Sequence, residues 1–290
     1  MVNLDRMRCA VAALLTTIAF AGEPDAETQV KPITLELDNC GPKVAAKILL
    51  RKAKLRVEFA PQAAARRANV RLINVPTVAG MRTIAEHFRC EARYLGKRRW
   101  RLAPAWQFAI LEKIESRRIV PVNVTKMPIA EFLATVRTAT EIDITLDPRV
   151  DRASTVTMRA TKISYRKLLD RLVKAQRLAW ELRYGVLCIA ERKQLDQMPV
   201  LPPQLASAAL RKLRTPLAFE GVTLGAIAPQ LEKLMGVPFV VPDEMNAQTV
   251  TARAKDVTLE QALALLLYPH GWTAEEKDGA VHVKALPAPG

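Results

Sequence analysis

Three short apolar phrases, each running into a proline, recur along the chain: LRVEFAP at 55–61, IDITLDP at 142–148 and VPFVVPD at 237–243. Aligned through Pro61, Pro148 and Pro242, they bring three longer phrases into line: VRLINVPTVAGMRTIA from 70, VTMRATKISYRKLLDRL from 156 and VTARAKDVTLEQALALL from 250. Self-similarity at this spacing predicts one supersecondary unit used more than once. In the middle copy IVPVNV predicts a strand. Ile129, Phe132, Leu133 and Val136 then fall at i, i+3, i+4 and i+7, the spacing of a one-sided helix. IDITL and TVTMRA predict two more strands, and Tyr165, Leu168, Leu169 and Leu172 a second helix with Ser164 as its N-cap. LAWELR and VLCIAE close the unit as a hairpin across Tyr184-Gly185.

The third copy places Leu224, Ile227, Ala228 and Leu231 on its first helix and Leu259, Ala262, Leu263 and Leu266 on its second. Thr258 and Gln261 form a capping box at the start of that second helix, and Lys277-Asp278-Gly279 supplies the last turn. Pro229 is the one misfit, since it removes a donor inside the first helix. The first copy opens its first helix after Gly41-Pro42 and puts Met81, Ile84, Ala85 and Phe88 on its second. The expected fold is therefore α+β: three tandem βαββαββ small sandwich domains over residues 33–104, 119–192 and 216–286. Phe108, Ile110, Leu111 and Ile114 predict a packed element between the first two. Residues 193–215, with Pro202-Pro203, predict an extended linker, so that copies one and two move together and copy three is hinged.

This order, with the helix entry VTKMPIAEFL, the strand and turn IDITLDP, the strand and helix VTMRATKISYRKLLDRL and the closing hairpin, resembles the short N-terminal domain shared by secretins and TonB-dependent outer-membrane transducers. The resemblance covers about three quarters of the chain. It implies that each unit packs two helices between a two-stranded and a three-stranded sheet, and that it works in the periplasm as a docking or ring-forming module. One departure is large: no β-barrel or pore-forming region follows the third copy, so transport by this chain alone is not implied.

The compartment follows from the N-terminus. Arg6 and Arg8 precede an apolar run from Cys9 to Phe20 and the small-x-small triplet Ala19-Phe20-Ala21, so residues 1–21 read as a cleavable export signal into the periplasm. That run is too short to span a bilayer. Cys40, Cys90 and Cys188 remain after cleavage. An oxidising compartment allows one pair, and Cys40 with Cys90, in one domain, are the candidates for a disulfide.

Charge changes the picture further, because its distribution is lopsided. The first copy has 16 basic and 5 acidic residues, the second 13 and 8, and the third 5 and 9, so one end is a cation and the other an anion. Strand alternation puts Trp100 and Leu102 inward and Arg99 and Arg101 outward. Arg93, Lys97 and Arg98 extend that basic face, and Arg66 and Arg67 form a second cluster. Three readings stay open. The face keeps the domain soluble; or it meets an anionic envelope surface of phospholipid, lipopolysaccharide or cell-wall polymer; or copy one of one molecule meets copy three of the next, head to tail. Nucleic acid as partner is at odds with export.

No nucleophile with a base at a recognisable spacing, no glycine-rich phosphate loop and no metal-ligand spacing occurs. Asp143, Asp147 and Asp151 are spread over a strand, a turn and a loop among arginines, which fits structural roles. His270, at a helix end, reads as a cationic cap. The sequence thus leads to a non-enzymatic, cofactor-free periplasmic adaptor that docks envelope proteins or itself, with an anionic-surface binder acting through domain 1 as the alternative.

Overall fold

The computed structural model describes residues 31–63, 66–115 and 119–287; the export-signal reading of residues 1–21 lies outside them. In the first segment β1 (Ile33–Cys40) leads to α1 (Pro42–Ala53), β2 (Arg56–Phe59), β3 (Ala68–Val75), α2 (Thr77–His87), β4 (Glu91–Tyr94) and β5 (Arg99–Ala103). After α3 (Ala105–Glu115) comes a second segment. It holds β6 (Ile119–Pro128), α4 (Ile129–Thr140), β7 (Ile144–Leu146), β8 (Thr155–Ser164), α5 (Tyr165–Ala175), β9 (Ala179–Arg183) and β10 (Val186–Ala190). Two short helices, α6 (Arg192–Gln197) and α7 (Ala208–Lys212), precede the third. This runs through β11 (Arg214–Thr223), α8 (Leu224–Met235), β12 (Phe239–Val240), α9 (Asp243–Asn246), β13 (Thr249–Thr258), α10 (Leu259–Leu267), β14 (Trp272–Lys277) and β15 (Ala280–Ala285).

Six small sheets result among the described residues, which makes the chain mixed α+β. Antiparallel pairs join β1 to β3, β6 to β8 and β11 to β13. Three-stranded sheets have the orders β2-β5-β4, β7-β10-β9 and β12-β15-β14. In each of these the first strand runs parallel to the central one, as a crossover through a helix requires.

Apolar spacing decides which faces close. In β1 Ile33, Leu35 and Leu37 are buried while Thr34, Glu36 and Asp38 are exposed. On α4 the four predicted positions are buried, as are the four on α5 and the four on α10. Ser164 accepts from the Lys167 amide at the start of α5. Thr258 and Gln261 satisfy each other's amides at 3.3 and 2.9 Å, a cap worth about 1 kcal/mol. Pro229 is held inside α8.

The described residues divide into two compact units: 31–59 with 66–102, and 60–63 with 103–115 and 119–287. In the second unit α3 closes on the second segment, with Leu111 and Ile114 in its core. The linker differs from its expected form as a hinge. Leu195, Met198, Leu205 and Leu210 are buried in one core with Cys188 and Ala190 of the second segment and Leu231 and Leu263 of the third. Its backbone is strapped from both sides. Arg183 Nη1 donates to Met198 O at 2.8 Å and the Tyr184 hydroxyl to Pro199 O. From the other side Glu260 and Glu276 accept from the amides of Leu205 and Ser207 at 2.9 and 2.7 Å. Four apolar side chains in a proline-containing stretch suffice to turn a spacer into core.

The same unit shows one segment seated on another. Edge strand β7 lies against β13: Thr145 Oγ1 donates to Arg253 O at 3.4 Å, and the Lys255 amide to Asp143 Oδ2 at 2.7 Å. Arg152 then reaches Glu220 at 3.0 Å and Thr251 at 3.3 Å.

Candidate docking surfaces

The outward face of β2-β5-β4 in the first unit is the basic surface expected from sequence. Alternation buries Trp100 and Leu102, with Tyr94 against Trp100 at 5.3 Å between ring centroids, and turns Arg99 and Arg101 outward. Parallel pairing sets Arg56 beside Arg99 and Glu58 beside Arg101. Glu58 therefore takes both cations, Arg99 at 3.4 Å and Arg101 at 3.2 Å. Arg93 is exposed on the edge strand β4. Sequence alone does not single out Glu58; the period-2 pattern Arg56-x-Glu58 is the signal that could have found it.

Lys97 and Arg98 form the tip of the β4–β5 hairpin, where the Arg99 amide donates to Gly96 O at 2.9 Å. Both have left-handed backbone, φ 50° and 59°. The corresponding hairpins of the other segments turn through Tyr184-Gly185 and Asp278-Gly279, each with glycine second. That second place in the first hairpin holds an arginine, which has a Cβ to clash where glycine has none.

Arg66 and Arg67 do not join this face. Arg67 Nη1 donates to Asn39 O at 3.0 Å, at the far end of β1. Arg66 is half-buried and draws down the thiol of Cys90, which burial pushes up to about 11. Cys40 and Cys90 are free thiols, which corrects the expected pairing. Each sulfur is engaged locally instead, Cys40 with Asp38 O at 3.1 Å and Cys90 with Phe88 O at 3.4 Å.

A further run of cations, missed in sequence, lies on α1. Lys43, Lys47 and Arg51 are exposed along it, Lys54 is exposed at the left-handed C-cap just beyond, and the helix contains no acidic residue. The i, i+4 spacing of Lys43, Lys47 and Arg51 is legible in the chain, where it is masked by the apolar positions that declare the helix.

In the second unit the three aspartates are each engaged separately. The buried Asp147 carboxylate is held by Arg149 through Nε and Nη2 at 2.9 and 2.8 Å. Asp143 takes the Lys255 amide and Asp151 the Ala153 amide. Cys188 lines a small cavity with Asp147, Leu195 and Leu265. Burial pushes its thiol up to about 12, so it stays protonated. Burial also lowers the pKa of His270, against the pull of Asp147 and with the push of Arg149. The imidazole is thus biased toward neutral, the reverse of the cationic cap read from sequence.

No protein-family model matches this chain, and no curated protein does. Among solved structures it is similar to a putative anti-sigma factor from Parabacteroides distasonis, at 11% identity over 32% of this chain and 41% of that one, with a TM-score of 0.24. So partial a likeness bears on neither fold nor function. Among the described residues no helix is long and apolar enough to cross a membrane.

Proposed function

We propose that the chain is a periplasmic, non-enzymatic interaction protein. In this reading it is built of three tandem βαββαββ sandwiches akin to the short N-terminal domains of secretins and TonB-dependent transducers, and it docks envelope proteins or further copies of itself. The observation that carries the reading is the seating of β7 on β13. There the edge strand of one sandwich is buried against the two-stranded sheet of another, through side-chain to backbone bonds and the Arg152–Glu220 pair. Contacts of that kind need a strand edge and complementary charge rather than a catalytic constellation. The basic first segment and acidic third segment supply the same complementarity between molecules.

Light scattering across concentration and ionic strength tests the self-docking form. Head-to-tail contact raises the mass with concentration and lowers it as salt screens the charges, and Arg99→Glu with Arg101→Glu abolishes the rise. A monomer under every condition removes self-docking.

A further inference from the structure

The solvent-facing arc of α1 has a composition unlike any ordinary helix surface. At 100° per residue, Leu50, Lys43, Lys47, Arg51 and Val44 fall within an arc of about 120°, opposite the buried Ala45 and Leu49. Val44 and Leu50 are 50% and 49% exposed. The arc contains cations and aliphatics and nothing else. Among the described residues, four of the five exposed large hydrophobic side chains (Val44, Leu50, Ile73 and Leu95) belong to this unit, which is also the most basic.

Neither the fold nor helix stability calls for this arc. The helices at the corresponding place in the other segments face solvent with neutral and mixed-charge residues: Glu131, Thr135 and Thr138 on α4, and Gln230, Glu232 and Lys233 on α8. Arg51 sits in the last turn, where it suits the helix dipole, but Lys43 sits in the first turn, where a cation opposes it. Solubility alone is served by charge and is worsened by half-exposed leucine and valine beside it.

Cations interleaved with exposed aliphatics on one helix face match a surface that is anionic outside and apolar just beneath. We propose that the outer face of α1 is a docking surface for an anionic phospholipid bilayer. Lys43, Lys47 and Arg51 lie against the headgroup phosphates, and Val44 and Leu50 reach the acyl boundary. The inference goes beyond the docking of proteins and does not depend on it.

Vesicle co-sedimentation tests the proposal. It uses the chain from residue 22 onward, which keeps every described element, with vesicles of phosphatidylcholine alone or mixed with phosphatidylglycerol. The protein partitions onto the anionic vesicles and not onto the neutral ones. Val44→Ser with Leu50→Ser leaves every charge in place and lowers that partition roughly tenfold, while retention on a heparin column, an anion with no apolar layer, is unchanged. Lys47→Glu with Arg51→Glu lowers it more than tenfold, each cation contributing about fivefold. Lys97→Glu with Arg98→Glu, on the hairpin, changes it far less. As a direct reading on a folded protein, Leu50→Trp gives emission that shifts to the blue on anionic vesicles and is quenched by brominated acyl chains. Wild-type partition of the serine variant, or a Leu50→Trp emission spectrum that vesicles do not move, overturns the proposal in favour of an acidic soluble partner.

Discussion

Truncating Leu195 tests whether residues 193–215 are core or hinge. Its side chain is completely buried among residues of both the second and the third segments. Leu195→Ala removes that packing beside a cavity that Leu195 already lines with Cys188 and Leu265. A wall next to an existing void has little left to collapse with, so the cost belongs in the middle of the range for buried leucines, about 3–4 kcal/mol. For a unit of about 190 residues, each kcal/mol moves Tm by about 2–4 °C, which gives a fall of roughly 6–16 °C. Calorimetry with hydrogen exchange reads the result. A shared core requires one displaced transition, with the amides of β8 and β13 losing protection together. If β13 opens while β8 keeps its wild-type protection, the two segments fold separately and the strapped linker is no more than a tether.

Other substitutions probe single features. Lys97→Asn with Arg98→Gly supplies the turn residues that left-handed backbone favours, and raises the stability of the first unit by about 1–2 kcal/mol in urea unfolding. Glu58→Gln frees Arg99 and Arg101 of an exposed pair, so stability moves by less than about 1 kcal/mol while elution from a cation exchanger shifts to higher salt. For His270, burial holds the folded pKa below the unfolded value, so the unfolded chain binds the extra proton first. The stability it contributes is fully present above the unfolded value near 6.5 and is lost as pH falls through the folded one. Wild type therefore melts lower at pH 5 than at pH 7.5, and His270→Gln flattens that difference. An equal slope in the variant would assign it elsewhere.

The apolar architecture was legible because it is local. Phe132 and Val136, or Leu259 and Leu263, declare a helix face within a few residues, and the capping box at Thr258 needs only three. What escaped were relations between distant positions. Glu58 meets Arg101 through a parallel pairing with more than forty residues between them; the local pattern Arg56-x-Glu58 turns the carboxylate outward but does not name its partner. The linker was misjudged because Leu195, Met198, Leu205 and Leu210 recur with no helical or strand period, and Pro202-Pro203 dominates the impression. Cys40 and Cys90 share a unit, yet the thiol of each bonds a carbonyl two residues away. His270 was given its charge from its place at a helix end, whereas burial lowers its pKa, and Asp147 and Arg149, more than a hundred residues away in sequence, also act on it.

The seam between β7 and β13, sealed by the residues from Leu195 to Leu210, also bears on inheritance. A genetic rearrangement that excised the third segment alone would leave Ala190, Leu195 and Cys188 facing water and Asp143 without its amide donor. One that excised the second would strip the support from α10. The stretch from Asp143 to Val283 is therefore one physical unit, and loss or duplication of either part alone exposes the apolar core of the other.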